Sequence, residues 1–329
     1  MNILKISFSV LFATLVYLFP VSENPFLKPS LQLLKSGSLS GSNVIFQSLD
    51  YGKTWQDISN GLPAQMEDPE FFTNNNKLFI HSKDEMYVRN SNTLSPAWEK
   101  DPALKFHGNV SICKSGIFAI AKDGKIFKRN IGKNTWSRVF KSLPIDENPR
   151  NLSEIKSGVF MIAGDNGLFR SSDGGKTWKK VHKGSIGNIQ ETNGVLLATS
   201  QEGIIRSTDN GLSWKKAVSE GGVGIYLTRI NDGFVGITYN STLKSRRVRI
   251  SKDDGKTWQA IDAGLPRHAN IANVIQAGNF YYCGHPDGIF RSSDKGKHWE
   301  LIHSTVDDKV FNLTVSGKVI YAIAKSGGC

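Results

Sequence analysis

The sequence predicts an all-β fold: a seven-bladed β-propeller of four-stranded antiparallel blades, closed by a blade shared between the N- and C-termini. Three observations predict it. First, all seven tryptophans fall into one series, Trp55, Trp98, Trp136, Trp178, Trp214, Trp258 and Trp299, spaced 36 to 44 residues apart. A period near forty residues is the length of one four-stranded blade. Second, short apolar and β-branched runs alternate with Gly, Asn and Asp turns, with no sustained helical period after the N-terminal segment. Third, the ends are complementary. "VFNLTVSGKVIYAIAKSGG" supplies two strands and stops, whereas "NVIFQSLDYGKTWQDI" begins at what the repeat makes a third strand.

Blades take their numbers from the tryptophans, so blade 1 is the shared one. Blade 4 reads strand by strand as "NLSEIKSG", "VFMIAG", "LFRSSD" and "KTWKKV", and blade 5 repeats it as "NIQETNG", "VLLATS", "IIRSTD" and "LSWKKA". A ring left open would expose edges able to pair with other chains, and a blade woven from both tails removes them. The propeller is expected over residues 43–329, after a lead-in at 23–42. Residues 1–22 read as a signal peptide, with an uncleaved anchor as the alternative. Lys5 precedes the apolar run "ISFSVLFATLVYLFPV", which is too short to span a bilayer comfortably. Both readings put the body outside the cytoplasm: secreted, periplasmic or at the cell surface.

The 329 residues carry 41 Lys+Arg against 29 Asp+Glu, a formal charge of +12 that favours acidic partners and anionic surfaces. Cys113, Cys283 and Cys329 are odd in number and far apart, so they make no disulfide framework; the first two read as buried strand residues.

The recurring stretch is S-x-D-x-G-x-T-W, as in "SSDGGKTW" at Ser171–Trp178. Its Ser and Asp side chains can accept backbone N–H groups inside the turn. Gly175 supplies a conformation that side chains disfavour. Thr177 and Trp178 are expected to begin the next strand. A buried Trp hides about 150–250 Å², which corresponds to roughly 4–6 kcal/mol gross. The anchoring pairs are Asp50 and Trp55, Asp173 and Trp178, Asp209 and Trp214, Asp253 and Trp258, Asp294 and Trp299. A calcium or catalytic carboxylate cluster is the competing reading, but carboxylates a blade apart cannot converge.

These stretches closely resemble the Asp-box, or BNR, repeat of the sialidase-like superfamily, and the resemblance weakens at "SNTLSPAW" and "NIGKNTW". It implies that the boxes lie on outer hairpins, away from the ligand face. Ligands are then expected on the opposite face, at the loops joining blades and the turns between second and third strands. There "LKSRRVR" supplies Lys244, Arg246 and Arg247, "GLPRHAN" supplies Arg267 and His268, and Arg150 and His285 lie in neighbouring loops. Such a rim can hold carboxylate, phosphate or sulfate through arginine forks; a solvated edge is the competing reading. A second ring, Arg170, Arg206 and Arg291 with Lys128, precedes the boxes and is explained by copying of the repeat. Asn109, Asn151, Asn188, Asn273 and Asn312 belong to the innermost strands.

In layout the chain is similar to photosystem II assembly-factor propellers, which implies a non-catalytic binding or assembly scaffold for a protein or an anionic ligand. The alternative is a sialidase-like glycoside hydrolase. Sialidases carry an Arg-Ile-Pro motif that this chain lacks. Acidic groups such as Glu67, Asp68 and Glu70, or Asp307 and Asp308, are what a glycosidase reading would use. The histidines show no metal-ligand spacing. No cofactor, metal or nucleic-acid partner is expected. The expected state is a monomer, with association to a membrane surface among the expectations.

Overall fold

The computed structural model describes residues 43–74, 77–83, 85–90, 97–101, 108–121, 123–130, 133, 135–140, 143, 147–305 and 309–326. The expected signal segment and lead-in (1–42), His107, Asp307, Asp308 and Cys329 lie outside the described residues.

Seven four-stranded antiparallel sheets form the blades of a propeller. Six are continuous in sequence. Blade 4 runs Pro149–Glu154, Phe160–Gly164, Gly167–Ser171 and Lys179–Lys183; blade 5 runs Ile186–Thr192, Val195–Ser200, Gly203–Ser207 and Lys215–Val218. Blade 1 is the shared one. Lys309–Ser316 and Val319–Ser326 supply its inner strands, and Ile45–Ser48 and Gln56–Asp57 its outer two. The N-terminal strand pairs with the C-terminal one in register, from Ile45 opposite Ile323 to Ser48 opposite Ile320. The closure read from the tails is therefore present.

Second strands are buried along their length, as in Val195–Ser200, because neighbouring blades cover both their faces. Fourth strands are mostly exposed. The core divides into seven apolar clusters, each between two adjacent blades and each holding one of the seven tryptophans. Trp299 packs with Val274 and Tyr281 of its own blade and with Val248 and Ile261 of blade 6. Cys113 and Cys283 are buried in these clusters as free thiols, and burial pushes the Cys113 thiol up to about 12.

Two expectations about the tryptophans need correction. Only Trp98 is buried; the other six are half-buried, so the area-based figure is an upper bound for them. The fourth strand also begins after Trp in all five strong boxes, at Gln56, Lys179, Lys215, Gln259 and Glu300. The cause is the box turn itself, which holds the indole at the rim. Trp258 lies over Gly236 of its own blade, where an added side chain would meet the ring at 3.0 Å.

One contact ties the ring at its closing seam. Asn273 is buried, and its side chain donates to the Leu313 carbonyl (2.7 Å) while accepting from the Leu313 N–H (2.9 Å). It thus extends the hydrogen-bonded ladder of blade 7 onto the innermost strand of blade 1. Beside it, a Cβ on Gly284 would fall on the Phe311 carbonyl oxygen, so the two backbones meet too closely for any other residue.

Candidate functional site

The Asp boxes resolve into turns with a repeated bond pattern. In blade 4 the buried Ser171 hydroxyl accepts from the Gly175 N–H (2.8 Å) and donates to Asp173 Oδ1 (2.7 Å). The Asp173 carboxylate also accepts from the Thr177 N–H (3.0 Å) and the Thr177 hydroxyl (2.6 Å). Asp50, Asp209 and Asp253 repeat this arrangement. In blade 7 His298 stands in for the threonine, its Nδ1 2.5 Å from Asp294 Oδ2. Bonds from the following hydroxyl and N–H hold the carboxyls of Asp50, Asp209 and Asp253 down to about 2. Asp173 and Asp294 are lowered further by the same kind of bond. These five carboxylates are saturated within their own turns.

The arginines before the boxes have a structural role that sequence reading missed. Arg170 Nε donates to the Asn210 carbonyl (2.9 Å), Arg206 Nε to the Asp254 carbonyl (2.7 Å), and Arg291 Nη1 to the Tyr51 carbonyl (3.3 Å). Each arginine thereby holds the box of the following blade. The three acceptors are the residues of positive φ inside those turns. The periodic spacing of Arg and box was the available signal.

On the opposite face, the long hairpin of blade 6 meets the loop between blades 6 and 7. The Arg246 N–H donates to the His268 carbonyl at 2.9 Å. This brings Arg246, Arg247 and Arg267 around a pocket of about 360 Å³, also lined by Asp262, Leu265 and Pro266. Arg247 forms a bidentate pair with Asp262 (2.6 and 3.0 Å), and Arg246 Nη1 donates to the Ile271 carbonyl (2.6 Å). Arg249 is paired with Glu220. Two of the three pocket guanidiniums are therefore engaged by protein. Arg267 and, on the hairpin turn, Lys244 are exposed, with no side-chain partner among the described residues. His268 packs edge-on against His285, with ring centroids 5.8 Å apart. His285 is fully buried: Nδ1 accepts from the Asp287 N–H (3.1 Å) and Nε2 faces the Pro266 carbonyl (2.9 Å). Burial lowers its pKa and keeps it neutral.

Arg150 is not part of this cluster. It pairs with Asp165 (2.8 Å) and lines a separate recess of about 520 Å³ with Asp68, in the loop before blade 2, and with Glu70, Asn109 and Asn151 of the inner strands of blades 2 to 4. Glu70 reaches water there but is crowded by protein. That desolvation raises its pKa; Lys325 opposes the rise and Asp68 adds to it. Asp68 is also 3.8 Å from Lys325 of the shared blade. Among the described residues no group of three His, Cys, Asp or Glu is arranged to hold a metal ion.

Comparison with known proteins agrees with this geometry. Residues 168–181 match the BNR-Asp box repeat. That stretch is the box of blade 4. No curated protein matches the sequence. Among solved structures, YCF48 bound to D1 peptide is 15% identical with a TM-score of 0.55, covering 76% of this chain and 90% of that one. YCF48 from Cyanidioschyzon merolae is 13% identical with a TM-score of 0.57, covering 87% and 97%. The GH74 xyloglucanase from Xanthomonas campestris is 10% identical with a TM-score of 0.60; the match covers 82% of this chain and 53% of the enzyme. At these identities the likeness is one of fold. The propeller fold is thus similar to that of a protein bound to a peptide and to that of a xyloglucanase.

Proposed function

We propose that this propeller is a non-catalytic, exported binding scaffold that receives an acidic segment of a protein partner on the face opposite the boxes. The observation that supports it is the pocket between blades 6 and 7, where the exposed Arg267 borders an apolar floor of Leu265 and Ile271. A carboxylate beside an apolar side chain fits such a site: the guanidinium forks onto the charge, and the floor takes the side chain. Lys244 at the hairpin turn extends the positive field. The peptide complex formed by YCF48 supports peptide binding as a use of this fold. The test is pull-down from an extracytoplasmic extract, followed by titration of the captured peptide. Reversing Arg267 and Lys244 to Glu is expected to weaken binding at least about tenfold, roughly the 1.4 kcal/mol expected from charged contacts. Unchanged affinity in the double variant refutes this site.

A specific observation also supports a second reading as a glycoside hydrolase. Glu70, its pKa raised, sits with Asp68 in a polar recess of the size a sugar ring needs. Turnover of a xyloglucan or sialoside panel, abolished by Glu70→Gln, would establish that reading in place of the scaffold.

A further inference from the structure

We propose that the cleft between blades 5 and 6, on the Asp-box side, binds a phosphate or sulfate group. The inference comes from comparing the copies of one repeat position. In blade 7, Arg291 lies opposite Glu300 in the strand register, and Glu300 accepts from both Arg291 Nε (2.9 Å) and Nη2 (2.5 Å). In blade 5, Arg206 occupies the same place, but the residue opposite is Lys215. Like charges directly opposite one another destabilise a sheet. The neighbouring box then adds Lys256, and the same cleft is lined by Lys216, Thr208 and Ser213.

The cleft encloses about 320 Å³, and no carboxylate lines it. Lys216 is partly neutralised by Glu202 at 3.4 Å. The box carboxylate of the same blade, Asp209, is saturated by Ser207 and Ser213 inside its own turn. Arg206 is held by its Nε on the Asp254 carbonyl. Among the described residues its terminal nitrogens have no protein acceptor, whereas those of Arg291 have Glu300. An oxyanion in the cleft supplies the charge that Glu300 supplies in blade 7. The Arg206 fork, the Lys215 and Lys256 ammonium groups and the Thr208 hydroxyl are donors of the kind a tetrahedral anion takes. Blade 4 also places Arg170 opposite Lys179, but the next box there offers Leu212 where the blade 6 box has Lys256.

The experiment is thermal unfolding of the full chain in sodium sulfate or phosphate against sodium chloride at equal ionic strength, with binding followed by calorimetry. Sulfate and phosphate are expected to raise the midpoint specifically and saturably. Lys215→Glu rebuilds the blade 7 pair, so it is expected to raise the midpoint in chloride and weaken anion binding at least about tenfold. Lys318→Glu, at a turn of the shared blade, is expected to change neither. A sulfated oligosaccharide and phosphatidylglycerol vesicles distinguish the sources. Tighter binding of one of them than of the free ion, lost in Lys215→Glu, identifies a glycan or a lipid headgroup; equal binding identifies a free ion. The site is refuted by a midpoint that follows ionic strength alone, or by anion binding that survives Lys215→Glu.

Discussion

Asn273→Ala is expected to loosen the ring at its closing seam. The amide is buried and holds both polar groups of Leu313 on the innermost strand of the shared blade. Its removal leaves one buried N–H and one buried carbonyl without the partner it supplied. Each orphaned group costs roughly 1–3 kcal/mol, so the total is about 2–6 kcal/mol. That is a large share of the stability typical of a folded domain, about 5–15 kcal/mol. The assay is urea unfolding at neutral pH, monitored through the seven tryptophans, with limited proteolysis to locate early opening. The expected result is a lower midpoint and early cleavage near the blade 7–blade 1 seam. A reduced slope would mean that the shared blade opens before the rest, because the slope reports the surface exposed in the transition. Asn273→Asp keeps the acceptor, loses the donor and buries a charge, so it is expected to be no milder. A loss below about 0.5 kcal/mol for Asn273→Ala, which is the range of ordinary surface changes, would refute the view that this side chain completes the ring.

Three further outcomes follow from the same bonds. Asp101→Ala strips the buried Arg129 of its carboxylate between blades 2 and 3 and is expected to cost about 3–5 kcal/mol in urea unfolding; a neutral result would mean that Arg129 finds water. Gly284→Ala drives a methyl into the Phe311 carbonyl and is expected to cost at least about 1–3 kcal/mol by thermal melt. The box carboxyls of Asp50, Asp209 and Asp253 sit at about 2 in the fold, against an ordinary value of 3.8. A pKa lower in the folded state gives stability that is complete above the unfolded value and is lost as pH falls from near 4 toward 2. The urea midpoint is therefore expected to drop across that window and to drop less in Asp209→Asn/Asp253→Asn; an unchanged acid profile in that variant would count against the boxes.

The fold was legible because the propeller is a one-dimensional repeat and its sequence keeps the period. Trp spacing, Gly turns and complementary tails each report a property local in sequence. The five strong boxes were legible for the same reason, down to the Ser and Asp that hold each turn. What stayed hidden depends on contacts between blades. Asn273 was grouped with the inner-strand asparagines, yet it faces Leu313, forty residues away, and not the bore. Trp burial was overestimated because the box motif places the indole beside a turn, and only the fold shows how much of that turn faces water. Of the basic residues, Arg246, Arg247, Arg267, His268 and His285 lie together between blades 6 and 7, and Lys244 lies on the turn of the same hairpin. Sequence could not show that Asp262 and the Ile271 carbonyl already engage Arg247 and Arg246, or that Arg150 stands apart with Asp165.

A repeat protein separates its scaffold from its sites by where the copies disagree. Residues present in every strong box satisfy the turn that contains them or the blade beside it, so their charge is already answered within the protein. The departures are different in kind. Blade 6 lengthens a hairpin until its backbone meets the next loop, through Arg246 and His268. Blade 5 has the Arg–Lys facing pair that blade 4 also has, where blade 7 has Arg–Glu, and the blade 6 box adds Lys256 beside it. Each departure adds positive charge beyond what the fold engages, Arg267 and Lys244 in the first and Lys256 in the second, and like charges brought together lower stability unless an opposite charge joins them. On the two proposals above, the two faces carry separate anion sites made by different changes to one template. Reversal of Arg267 and Lys244 on one face should leave the sulfate response of the other intact, and Lys215→Glu should leave peptide capture intact. Cross-effects between the two variants would mean that both measurements report only the net charge of the whole molecule.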